Sequence, residues 1–176
     1  DDLANLKGLA EVSNYQGLMN FVFGGEAGPT GRPISLLAFV PNYIDWSNNP
    51  WGFVESTLVW HGINTGLVFL LTNQLLLTQE KYKKSSLWMA TLVAAMWALL
   101  PIHASGILMP VQRMTHVSAF FILLTLVSYC YLRFSLAGNR NFIRNIIAFI
   151  IIVVCGELLA VYSKENGVVL ITFIAL

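Results

Sequence analysis

The chain has 176 residues, of which 56% are hydrophobic and only 11% are charged. A soluble domain carries about a quarter charged residues, so this composition argues against a soluble enzyme. The net charge of +1 excludes a nucleic-acid-binding protein, which needs a strongly basic surface. The apolar content also exceeds what a disordered chain tolerates. The class that remains is an integral membrane protein.

The first fifty residues differ from the rest of the chain in being acidic and only partly apolar. Amphipathic stretches around 3–22 and 33–40 are separated by a Gly-rich turn over 24–31. We therefore predict that residues 1–50 form a mainly helical loop that lies on the outer membrane surface.

Long uncharged runs dominate the remainder of the chain. A bilayer core about 30 Å thick needs roughly 20 apolar residues of helix. The runs predict an all-α fold, a polytopic transmembrane helix bundle over 51–176, with spans at 52–78, 85–102, 115–132 and 143–163 and a fifth beginning at 167. Because the chain opens without Met and the last run is too short to cross, we expect a fragment of a longer protein.

Basic residues give the orientation of the predicted spans. The loops 80–84 and 133–144 contain three Lys and three Arg, so the positive-inside rule places both in the cytoplasm. Alternation then places 1–50, 103–114 and 163–166 outside. The Trp and Phe residues are expected to serve as interfacial belts and as packing residues.

Polar residues inside the spans are the first candidates for function. Thr57, His61, Asn64 and Thr65 recur at helical spacing and share one face of the first span. Glu157 lies about two turns from the outer end of the fourth. Such residues line a cavity, or they only form hydrogen bonds between helices. The candidate cavity-lining residues are His61, Asn64, Glu157, Glu165 and Arg32.

Several motifs follow one another in a characteristic order. They are Asp1-Asp2, Gly31-Arg32-Pro33-Ile34-Ser35-Leu36-Leu37, the span with His61 and Asn64, Pro101-Ile102-His103, Gln112-Arg113-Met114-Thr115 and Ser163-Lys164-Glu165-Asn166-Gly167. This succession resembles the membrane glycosyltransferases of the GT-C fold. It is closest to bacterial O-glycosyltransferase-like proteins, which are related to the TMTC O-mannosyltransferases and often carry tetratricopeptide repeats.

The resemblance implies a transferase of the bacterial inner membrane that takes part in protein O-glycosylation. The donor would be a sugar on a polyprenyl phosphate or diphosphate, and the acceptor a hydroxyl of a protein or glycan on the outer face. It implies that Asp1 or Asp2 is the catalytic carboxylate. We expect the fragment alone to be inactive, because the later helices and repeats of the family are missing from it.

Glycosyl transfer also needs cations near the departing phosphate. The candidate phosphate-binding residues are Arg113, Lys164, His103 and His116, although Arg113 and Lys164 could instead anchor loops at lipid headgroups. No residue is assigned to a metal. A divalent cation stays open as a cofactor, but the chain lacks the second acidic pair that a convincing metal site needs.

Two other classes of function fit the sequence. A transporter or flippase of a lipid-linked or ionic substrate would use His61, Asn64 and Glu157 to line its path. A non-catalytic structural membrane subunit would use the outer loop to bind a partner, and its function would not depend on the two Asp residues. The sequence identifies neither the sugar nor the acceptor.

Overall fold

The computed structural model describes residues 6–25, 28–45, 48–136 and 142–175. Within these ranges the secondary structure is helical and contains no strand. The prediction of an all-α fold is therefore confirmed for the described residues.

Short helices form the first part of the chain, here called the cap (6–25 and 28–45). A 3-10 turn over Lys7–Glu11 is followed by α1 (Tyr15–Phe23), α2 (Pro33–Leu37) and a second 3-10 turn, Val40–Asn42. Asn14 caps α1, since its side chain accepts a hydrogen bond from the backbone N–H of Gly17 at 2.7 Å. Pro33 begins α2 with a preset φ, directly after Arg32 in the left-handed region at φ 52°.

The cap has an apolar core that it shares with the helices beneath it. The buried residues of this core are Leu6, Leu9, Phe21, Val22, Leu36, Phe39, Phe53 and Met114. Phe53 and Met114 belong to the long helices, so the cap is packed onto the bundle through the same cluster that holds it together. Burial of this kind stabilises by about 25 cal/mol per Å² of apolar surface, which favours a docked cap over a loose loop.

Six further helices follow the cap. They are α3 (Pro50–Leu77), α4 (Ser86–Ala98), α5 (Ile102–Leu108), α6 (Arg113–Leu136), α7 (Phe142–Ser163) and α8 (Val169–Ala175). The principal contacts run from α4 to α3, from α3 to α6 and from α6 to α7, so these helices lie side by side in that order. Within the cap, α2 packs against both α6 and α7.

Membrane-spanning capacity is established for only part of this bundle. Two helices are long and apolar enough to cross, at Pro110–Arg133 and Ile143–Ser163, and the pair α4–α5 adds a third if it forms one bent span. The 28-residue α3 is not among the helices that meet this standard in the described residues. Its polar residues lower its mean hydropathy; they include Glu55, His61, Asn64, Asn73 and Gln74.

The segment of the predicted span at 85–102 is not one continuous helix. α4 ends at Ala98 and α5 begins at Ile102, with a bend of 61° between the two segments. Pro101 lies in the break; it lacks an N–H, and its ring would clash with the carbonyl group four residues earlier in a continuous helix.

The three segments predicted to lie outside meet at one end of the bundle. Ser35 of α2 donates a hydrogen bond at 2.7 Å to the carbonyl oxygen of Ser163 at the end of α7. Lys164 Nζ donates at 2.7 Å to Thr115 Oγ1 near the start of α6. These contacts agree with a shared location for the cap, the start of α6 and the turn after α7.

Cysteine labelling can test which side of the membrane this end faces. In a background without Cys130 and Cys155, we expect Asn166→Cys to react with an impermeant maleimide from outside and Lys83→Cys to react only after the membrane is opened. Both replaced side chains are exposed. Reaction of both variants from the same side would contradict the alternating topology.

Candidate functional site

A cavity of about 330 Å³ lies among α3, α4, α5 and α6, at the end of the bundle that carries the cap. Clefts that hold small ligands begin at about this size. The polar and aromatic residues that line it are Asn64, Trp97, His103, Ser105, Gln112, Thr115 and His116. Ile102, which is 76% exposed, also lines it and joins it to the apolar outer surface of the bundle.

Three histidines from three helices are grouped here: His103 and His116 line the cavity, and His61 contacts both of them. The ring centroid of His61 lies 5.0 Å from that of His103 and 5.6 Å from that of His116. His61 also stacks on Trp97 at 5.0 Å with an interplanar angle of 18°. The sequence predicted His61, Asn64, His103 and His116 as site residues, and these four do lie together.

The break between α4 and α5 explains how His61 and His103 are held. The carbonyl oxygen of Ala98 is left without its helical N–H partner where α4 ends, and it lies 3.1 Å from His61 Nε2. The bend then brings the His103 ring to 4.4 Å from that of Trp97. On the opposite wall, Asn64 Nδ2 donates at 2.9 Å to the carbonyl oxygen of His116.

Lys164 supplies a positive charge beside the cavity, because its partner Thr115 is one of the lining residues. Burial and repulsion from Arg32 lower the pKa of Lys164, while Glu165 opposes the shift. The neighbouring Glu165 does not neutralise it: no ion pair within 4.0 Å involves Lys164 in the described part of the chain.

Arg32 and Glu165 pair with each other and do not line the cavity. Arg32 Nη2 lies 2.8 Å from Glu165 Oε2, and Arg32 Nε donates to both carboxylate oxygens. Burial raises the pKa of Glu165, but the hydrogen bonds from Arg32, the backbone and Thr30, together with the positive charge of Arg32, outweigh it and lower the pKa overall. Gly28 approaches the same carboxylate so closely that a side chain there would collide with Oε1. The pair therefore joins the cap to the turn after α7.

Arg113 lies under the cap and is not among the residues that line the cavity. Its side chain is fully buried, and each of its five N–H groups has an acceptor. Its acceptors are Thr57 Oγ1, Ser56 Oγ, Asn42 Oδ1 and the carbonyl oxygens of Ala38 and Phe53. The guanidinium carbon also lies 4.5 Å from the centre of the Phe39 ring. No guanidinium donor is left for a phosphate.

Two further groups of candidates lie elsewhere. Glu157 is half-buried on α7 and is not among the lining residues of the cavity; its Oε2 is buried without a hydrogen-bond partner. Asp1 and Asp2, the candidate catalytic carboxylates, fall outside the described residues. In the described ranges, no three His, Cys, Asp or Glu side chains are grouped to hold a metal ion.

Sequence reasoning missed four polar or aromatic residues of the cavity, Trp97, Ser105, Gln112 and Thr115. Trp97 was assigned to packing or a belt, whereas it lines the cavity beside the histidines. Gln112 and Thr115 flank Arg113 in the Gln-Arg-Met-Thr motif, and only the charged member of that motif was taken as a candidate. The motif was the available signal, since residues three apart on a helix share a face.

Comparisons with protein-family models, with curated proteins and with solved structures found no match to this chain.

Proposed function

We propose that this chain is part of a membrane glycosyltransferase of the outer face of the bacterial inner membrane, with a polyprenyl-linked sugar as donor and a hydroxyl group as acceptor. The observation that carries the proposal is the cavity at the cap end of the bundle, with the uncompensated charge of Lys164 at Thr115 on its border. Asp1 is the proposed base, on the resemblance of the motif order.

Charge on the departing phosphate grows during glycosyl transfer, and a fixed cation nearby lowers the barrier. Lys164 suits this role because Arg32 already pairs with Glu165, so the ammonium group has no competing carboxylate partner within 4.0 Å in the described residues. His103 and His116 border the same cavity and are available to the sugar part of the donor rather than to its phosphate.

A lipid-linked donor must reach the site from the bilayer. The exposed Ile102 at the cavity, with exposed Leu99 and Leu108 on the same bent segment, provides an apolar approach for a polyprenyl chain. This apolar surface would not stabilise the binding of a water-soluble donor, because it favours contact with apolar chains.

Donor binding tests the proposal through Lys164. We expect Lys164→Ala to weaken binding of undecaprenyl phosphate to the protein in nanodiscs by roughly 10-fold or more, because a charged hydrogen bond is lost. Lys84→Ala is the matched control, since Lys84 is exposed at the opposite end of the bundle. Equal affinity in the wild type and in Lys164→Ala would leave Lys164 as a headgroup anchor and remove the phosphate site.

A transporter of a lipid-linked substrate is the second candidate, and the broken helix pair favours it. Discontinuous helices often border the substrate site of transporters, and α4 and α5 do border this cavity. Reconstituted protein that moves labelled polyprenyl phosphate between leaflets, with no transfer of sugar, would support the transporter over the transferase.

A further inference from the structure

Buried hydrogen-bond acceptors without a partner occur on two residues that line the cavity, Asn64 and His103, and on His61, which contacts the lining residues Trp97, His103 and His116. His61 Nε2 faces the carbonyl oxygen of Ala98, which can only accept, so Nε2 carries the hydrogen. When the imidazole carries its one hydrogen on Nε2, Nδ1 is an acceptor. This Nδ1 is buried and has no hydrogen-bond partner.

Two neighbouring groups repeat this arrangement. Asn64 uses Nδ2 to donate to the carbonyl oxygen of His116, and its Oδ1 is buried without a partner. His103 hydrogen-bonds to the Trp97 backbone, and its Nε2 is likewise buried without a hydrogen-bond partner. Buried acceptors are nearly always paired in folded proteins, so three around one cavity indicate a ligand that brings donors.

Because the unpaired groups are acceptors, the ligand must supply hydrogen-bond donors. An ionised phosphate offers only acceptors and cannot satisfy these groups. A sugar ring carries several hydroxyl donors at its edge and a face of C–H groups. Trp97, half-buried and stacked on His61, offers the flat apolar surface that such a face needs.

We propose that this cavity binds the sugar ring of the lipid-linked donor, with its hydroxyl groups donating to the free acceptors of Asn64 and His103 and one ring face against Trp97. The inference rests on the proposed function and divides the donor between two subsites. The phosphate lies at Lys164 on the border, and the sugar lies inside, where Asn64 and His103 line the cavity and His61 lies against His103.

Comparing two kinds of lipid separates these subsites. The probes are undecaprenyl phosphate alone and the same lipid carrying glucose, galactose, mannose or N-acetylglucosamine, each bound to the protein in nanodiscs. The variants are His103→Phe, which keeps a ring but removes the acceptor, and Trp97→Leu. Trp88→Leu is the matched control, because Trp88 lies on the same helix and is 81% exposed.

We expect at least one sugar-bearing lipid to bind more tightly than the bare lipid. His103→Phe should reduce that preference by about tenfold and Trp97→Leu by about 3- to 10-fold, with binding of the bare lipid unchanged. The unchanged binding of bare lipid shows that the variants are folded. If Trp97→Leu is not folded, Trp97→Phe takes its place. Trp97→Phe is expected to lose a smaller part of the preference for sugar-bearing lipid.

Results that contradict the sugar site differ from results that contradict the proposed function. If no sugar increases affinity in the wild type, or if the variants leave the preference intact, the sugar is not in this cavity and the proposal is overturned. If His103→Phe weakens bare and sugar-bearing lipids equally, the cavity takes the phosphate, which also overturns it. Failure of the wild type to bind any of the lipids would instead refute the proposed function.

Discussion

Sugar transfer is expected to fall by about 10²–10⁴-fold in Asp1→Asn, the range lost when a general base is removed. The amide keeps the shape of the carboxylate but cannot take the proton of an acceptor hydroxyl. Donor binding and membrane insertion should be unchanged, because neither step uses the base. The assay is glycosylation of the native acceptor in cells that carry each variant at matched protein level.

Asp2→Asn is the matched control for this experiment. Neighbouring side chains in a loop diverge, so only one of the two carboxylates should face the sugar, and the resemblance favours Asp1. Leu6 and Leu9 are buried in the cap core and anchor the chain that follows the pair. Wild-type transfer by the Asp1→Asn, Asp2→Asn double variant would refute the mechanism and favour the transporter.

Replacing Arg113 with Leu is expected to release the cap from the bundle. The Leu side chain fills part of the space but removes the guanidinium hydrogen bonds to the carbonyl oxygen of Ala38 and to Asn42 Oδ1, which tie α6 to the cap. Hydrogen bonds to a charged group contribute about 1.5–3 kcal/mol each, so the docked cap should lose about 3 kcal/mol or more. Hydrogen exchange of the backbone amides over 33–45 measures this loss directly.

The control for this substitution is Arg133→Leu, since Arg133 is an exposed residue at the other end of the same helix. In Arg133→Leu, hydrogen exchange of the cap amides should match that of the wild type. Unchanged cap exchange in Arg113→Leu, together with weaker binding of undecaprenyl phosphate, would restore the phosphate role that the sequence predicted for Arg113. Faster exchange with unchanged lipid affinity assigns Arg113 to holding the cap in position.

Local patterns in the sequence were sufficient to predict the helices and part of the site. The uncharged runs predicted the helices now seen at Arg113–Leu136 and Phe142–Ser163 to within a few residues. His61 and Asn64 were predicted to share a face because three residues make nearly one helical turn. The alternation of basic loops correctly grouped His103 and His116 at one end of the bundle.

Other features depend on residues far apart in the chain, and local patterns do not encode them. Arg32 pairs with Glu165 across 133 positions, and Arg113 contacts cap acceptors about 71 and 75 positions before it. The sequence alone predicted that Arg32, Arg113 and Glu165 lie at the outer rim, and it did not show which of them are paired. Only the packing of α2 against α6 and α7 decided that Arg113 is enclosed and Lys164 is left beside the cavity.

The sequence by itself determined the all-α class, the positions of the long helices and the identity of the polar residues that they carry, since each follows from periodicity and charge within one segment. The tertiary structure alone decided which polar groups are satisfied. Trp97 and Ala98 meet His61 because α4 packs against α3, and His103 joins them because the chain bends between α4 and α5. Hydrogen-bond satisfaction depends on distances between segments, which no single segment specifies.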